Sequence, residues 1–160
     1  MIMNLDIKRA VLDEIIKAVE SELERQLGAN ARSNAVAVFS APGADKQRDT
    51  TGFEAAHLAR GYAVQAINLS HQLEELKAIK VEDFSGQEID VGALVDVDLD
   101  GEVDCYMLLN CGGGTEVEVD GKTITVITPE SPLGAKLIGN IEAGFVALPS
   151  GLEGIILDVY

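Results

Sequence analysis

The chain has 160 residues, 47% of them hydrophobic but only 4% aromatic, with no Trp, so its core is aliphatic and it is poor in the rings on which single-stranded nucleic acid stacks. A formal net charge of −15 argues against binding DNA or RNA through phosphate contacts, which require Lys and Arg. The charge is uneven: residues 1–80 hold ten Lys or Arg against eleven Asp or Glu, whereas residues 81–160 hold two Lys, no Arg and sixteen acids, a pattern of two units with different partners.

Helical spacing opens the chain. From Ile7 to about Ser40 the apolar residues Leu12, Ile16, Val19, Leu23, Leu27, Ala31 and Val38 follow one stripe, with Asp13, Glu20, Glu24 and Arg25 off it. Asp6 is the expected N-cap. Gly28 costs about 1 kcal/mol in a helix interior, but the alanines around it favour continuation, and Pro42-Gly43 ends the helix. A second helix is expected to begin after Thr50-Thr51 and run through Ile79, where Leu58, Tyr62, Ala66, Leu69, Leu73 and Leu76 recur four or three residues apart as a heptad-like seam. A short turn between two such helices folds them into an antiparallel hairpin with arms of about 40 to 50 Å.

After Val81 the period changes to two. Val95, Val97 and Leu99 alternate with Asp96, Asp98 and Asp100, and Asp100-Gly101 is a hairpin signal leading into 102–109. A second Asp-Gly, at 120–121, precedes 122–127. Ser131 is an N-cap with Pro132 in the first helical position, where the missing N–H is no loss, and a short helix runs over about 132–139. Strands over 145–148 and 154–159 complete the pattern. The reading is an α+β chain: a helical hairpin over 1–80, then a small antiparallel sheet with one short helix over 81–160, with residues 81–90 as linker.

The order strand, Ser131-Pro132-Leu133-Gly134, Leu137-Ile138-Gly139, strand resembles the C-terminal domain of the bacterial Gre transcript-cleavage and elongation factors (GreA, GreB and shorter relatives). The segment Asp49-Thr50-Thr51-Gly52-Phe53-Glu54-Ala55 is similar to the start of the second arm in short members of that family. The resemblance covers the whole length. It implies an FKBP-like second domain that docks on RNA polymerase at the secondary channel through Ser131, Pro132, Leu133, Gly134, Leu137 and Ile138. It also implies a hairpin tip at Asp45 and Asp49 that reaches the polymerase active site. There, tip carboxylates help hold a Mg²⁺ shared with the polymerase, a role suited to hard oxygen ligands. The family's tip carries a D-x-x-E pair in an acidic setting. Here two Asp stand four apart with Lys46 and Arg48 between them, so the resemblance implies polymerase binding more firmly than cleavage.

The remaining chemistry is sparse. Asp96-x-Asp98-x-Asp100-Gly101 copies the first half of a calcium loop, but the place of the bidentate Glu is Met107; the plainer reading is the outward face of a strand. Gly121-Lys122-Thr123 lacks the glycine a phosphate loop needs at Glu116. His57 and His71 are fourteen residues apart, and Cys105 and Cys111 match neither zinc spacing nor a disulfide framework. No metal or cofactor of its own is expected. The opening MIMNLDIKRA lacks a signal-peptide pattern and no apolar run spans a bilayer, so a cytoplasmic protein, monomeric or weakly dimeric, is expected. It would be no enzyme in itself. The alternatives are an interaction module for a partner other than polymerase, or a weak Ca²⁺ binder through Asp96, Asp98 and Asp100.

Overall fold

The computed structural model of the chain describes residues 5–39 and 46–160, with side chains over 5–29 and 56–160. Two helices come first, α1 (Leu5–Phe39) and α2 (Lys46–Ala78). The strands β1 (Leu94–Leu99), β2 (Glu102–Leu108), β3 (Glu116–Val119) and β4 (Lys122–Ile127) follow, then α3 (Pro132–Leu137), β5 (Phe145–Ala147) and β6 (Glu153–Val159). The chain forms two compact units: α1 as far as Ala18 with Glu75–Tyr160, and Val19–Glu74.

In the Val19–Glu74 unit the two helices lie side by side, with Glu22 and Gln26 of α1 facing Gln65, Asn68, Leu69 and Gln72 of α2 across a groove. Six residues separate the helices and span at most about 22 Å. A parallel return along a 35-residue helix needs about 50 Å, so the pair is antiparallel. The buried stripes differ from the expected ones by one residue in places. On α2, Ala59 is buried and Leu58 is 51% exposed; Tyr62, Ala66, Leu69 and Leu73 continue inward at heptad spacing. On α1, Leu27 is exposed and Gln26 is buried in its stead. Gln26 donates to Glu22 at 2.7 Å, and Arg25 forks onto the same carboxylate at 2.6 and 2.9 Å. Arg25, then Gln26, hold the Glu22 carboxyl down to about 2.

In the other unit the sheet order is β3-β4-β2-β1-β6-β5. Four of the five pairings are antiparallel and β2–β4 is parallel. The parallel pair follows from the connection: the chain returns one strand position further out as β3, and β4 then fills the slot beside β2 running in its direction. The short β3 was not foreseen as a strand. Both Asp-Gly pairs turn as expected. Asp100 (φ 51°) and Gly101 (φ 92°), and Asp120 (φ 51°) and Gly121 (φ 76°), have positive φ at both central positions, the tight hairpin turn whose twist matches the strands.

Alternation gives the sheet two apolar faces. Val95, Val97, Leu108, Val146, Ile156 and Val159 are buried on one, where Leu137 of α3 joins their core. Residues 81–90 are no loose linker, since Phe84 packs on that core and Ile89 belongs to it. On the other face Leu94, Met107, Ile124 and Val126 are buried, and the same unit contributes Val11, Leu12 and Ile15 of α1 and Leu76 of α2 to its buried set. Asp6 lies within the first turn of α1 and not at its cap. Two residues on, the buried Lys8 ammonium donates to the carbonyls of Glu82 (2.5 Å) and Tyr160 (2.8 Å) and lies 4.6 Å from the centre of the Phe84 ring.

Burial pushes the Lys8 ammonium from its ordinary 10.5 down to about 8, against the pull of Asp83 and Glu82. Between those values the unfolded chain keeps a proton that the folded chain has released, so raising the pH favours the folded state. Wild type is therefore expected to gain stability relative to Lys8→Met as pH rises from 8 to 10.5. Urea unfolding of both proteins across that window checks it; parallel curves contradict it.

Candidate functional site

The turn at Ser131 is built from backbone outward. Ser131 is extended (φ −69°, ψ 152°) and Pro132 starts α3. The Ser131 hydroxyl accepts from the Gly134 N–H at 3.0 Å and donates to the Thr128 carbonyl at 2.7 Å. The same carbonyl accepts the Ser131 N–H at 3.0 Å. One oxygen and one hydroxyl thus satisfy the Ser131 and Gly134 N–H groups at the helix start. Thr128 also dictates the residue at 134: a Cβ added to Gly134 would stand 1.9 Å from the Thr128 oxygen. The far end of α3 is tied by the Gly139 N–H to the Ile89 carbonyl (2.8 Å) and by the Ile89 N–H to the Asn140 carbonyl (2.8 Å).

This geometry sorts the six residues assigned to docking. Pro132 is exposed and Ile138 is 37% exposed, while Ser131 and Leu133 are half-buried. Gly134 and Leu137 are buried, the first against Thr128 and the second in the sheet core. Neither can offer side-chain surface to a partner, and their part is to hold Pro132 and Ile138 outward. Leu133 is divided, since part of it packs on the same core. Two contributors went unmarked in the sequence. Thr128 acts through its main chain, which no side-chain pattern reveals. Asn140, whose amide donates to the Phe145 carbonyl at 3.2 Å, follows Gly139, and a Gly-Asn step is a turn signal.

The tip lies mostly beyond description. Asp45 is outside the described residues. Asp49 is within the first turn of α2, which begins at Lys46, and its side chain is outside the described set.

The three aspartates of the acidic run are placed differently from one another. Asp96 was expected on a solvent face; it is buried, and accepts from Lys122 at 2.6 Å. The Tyr160 hydroxyl approaches its other oxygen at 3.4 Å. Asp98 accepts from the Gly101 N–H at 2.9 Å within the hairpin turn, and Asp100 occupies that turn. Among the described residues no three His, Cys, Asp or Glu side chains come together to hold a metal. Cys105 is buried, and burial, then neighbouring Asp96, pushes its thiol far up. Burial, with Glu75 beside it, pushes Cys111 up to about 11. Neither is a poised nucleophile, since the thiolate is the reactive form. His57 and His71 are both exposed.

Substitution of Gly134 by Ala drives a methyl into a backbone oxygen that cannot move aside, so a loss of about 2 kcal/mol or more is expected. Ser131→Ala, which removes only the cap, is expected to cost about 1 kcal/mol. Thermal and urea unfolding rank the two; Gly134→Ala milder than Ser131→Ala contradicts the close approach.

No family model matches the chain, and no curated protein matches it. Among solved structures it is similar to the GreA factor homolog 1 (Gfh1) of Thermus thermophilus, at 19% identity over 91% of this chain and 94% of that one, with a TM-score of 0.38. A structure of the transcription factor Gfh1 gives 18% identity over 92% and 94%, TM-score 0.39. Gfh1 of Thermus aquaticus gives 16% over 90% and 92%, TM-score 0.38.

Proposed function

We propose that the chain is a Gre-like factor that binds bacterial RNA polymerase at the secondary channel and modulates elongation. The observation that carries this reading is the Ser131-Pro132 turn. Its sequence resembles the docking segment of that family, and its construction holds Pro132 and Ile138 at the surface on a rigid base of Thr128, Gly134 and Leu137. A helical hairpin ahead of a sheet unit supports it, because that order is the family's own. No catalytic step is assigned to this chain; a tip carboxylate would at most complete the polymerase's metal site. With Lys46 and Arg48 between Asp45 and Asp49, the local charge is cancelled where Mg²⁺ gains most from excess negative charge. The factor is therefore a channel occupant with weak or absent cleavage stimulation. Among the described residues no helix is long and apolar enough to cross a membrane, and cytoplasmic location goes with the polymerase reading.

Ile138→Asp places a charge in the proposed contact without entering the core, and is expected to weaken binding to bacterial core polymerase about tenfold or more with the melting temperature kept. Binding unchanged by Ile138→Asp removes the turn from the contact. A stalled, backtracked polymerase tests the tip. The expected result is no RNA shortening with wild type or Asp45→Ala/Asp49→Ala, and loss of GreA-stimulated shortening when this protein is in excess. Strong shortening by wild type, abolished in the double variant, restores a full cleavage role.

A further inference from the structure

The sheet face opposite α3 is only partly covered. Leu94, Met107, Cys105, Ile124 and Val126 are buried on it, but one row near the β1–β2 turn is open. Phe145, Ile155, Asp98 and Val103 are successive register partners across β5, β6, β1 and β2, so their side chains share one face and stand about 4.8 Å apart from strand to strand. Phe145 is 60%, Ile155 51% and Val103 55% exposed. The ladder bulges opposite Asp96 and Val97, at Leu157, which is itself exposed. Such a run of exposed branched and aromatic side chains is a patch, not scattered surface.

The surroundings restrict what can cover it. Asp98 sits inside the row, and Glu153 and Asp158 flank it along β6, both exposed. Residues 94–108 and 145–159 contain no Lys or Arg. The nearby Lys122 is already held by Asp96, so a second copy would bring like charges face to face, and a nucleic acid would meet a net negative field. Strand addition at the outer edge of β5 is also hindered, because the Asn140 amide already takes the Phe145 carbonyl. What fits is a protein surface with an apolar ridge framed by Lys and Arg, engaged through side chains.

We infer that this strip is a second docking surface of the sheet unit, on the face away from Leu137, and that it takes such a basic-rimmed element of RNA polymerase; this rests on the polymerase reading. The two contacts divide the work. The turn gives a small apolar contact, and the strip adds area together with charge complementarity, which speeds encounter and fixes orientation.

The test is titration of bacterial core polymerase with wild type, Phe145→Ser/Ile155→Ser and Glu153→Lys/Asp158→Lys at low and high salt, beside thermal melts of each protein. The serine pair is expected to weaken binding about tenfold or more, in the range of truncating central anchors. The lysine pair is expected to weaken it most at low salt and to flatten the salt dependence. Because its positions are fully on the surface, the lysine pair decides the matter if the serine pair melts early. Wild type binding with both variants binding equally well overturns the strip and leaves the polymerase reading standing. Wild type failing to bind overturns both.

Discussion

The carbonyl of Thr128 fixes the local geometry on which the candidate docking turn depends. It accepts both the N–H and the hydroxyl of Ser131, and its oxygen fills the space that a side chain at 134 would need. The hydroxyl it orients caps α3, and the cap lets a helix of only six residues hold its place, far below the length at which helices persist unaided. Leu137 then reaches the core with Val97, Val146 and Ile156. The outward set of Pro132 and Ile138 follows from that inward anchoring. A contact surface built on a packed base costs little ordering entropy on binding.

Charge supplies the second constraint. The sheet unit is strongly acidic, yet Asp96, the one strongly buried carboxylate among the described residues, is matched by Lys122 from β4 at 2.6 Å. Removing Lys122 would leave the Asp96 carboxylate buried without its cation, so Lys122 is committed to the fold. Most of the other acids over 81–160 are exposed, although Asp98 is half-buried and holds the Gly101 N–H. The strip is framed by acids alone, whereas the turn carries exposed Glu130 and Lys136 of opposite sign beside its apolar residues.

The hairpin and the sheet were legible because their periods differ, 3.5 for the seam over 62–76 and two for 94–99, and because Asp-Gly at 100–101 and 120–121 leaves a turn few alternatives. Burial was less legible where residue type misleads. Ala59 is small and Leu58 large, so pattern alone favours Leu58, yet it is the alanine that is buried. Gln26 enters the seam through its bond to Glu22, and Asp96 through a lysine twenty-six residues away; neither partner is visible in local spacing. The parallel β2–β4 pair was hidden in the same way, since it depends on how far out β3 returns. In the candidate site, Ser131-Pro132 announces a helix start from the sequence itself. Which of the next six residues face outward depends on Thr128 and on the sheet beneath, and so could not be read locally.

The central claim is that the turn over 131–138 meets RNA polymerase at its secondary channel. The most direct measurement is site-specific photocross-linking to bacterial core polymerase from position 138, with position 118 on the exposed edge strand β3 as the reference. The account predicts a cross-link from 138 to polymerase residues lining the channel entrance, lost when GreA is added in excess, and none from 118. Equal cross-linking from both positions, or a cross-link from 138 that excess GreA leaves intact, contradicts it.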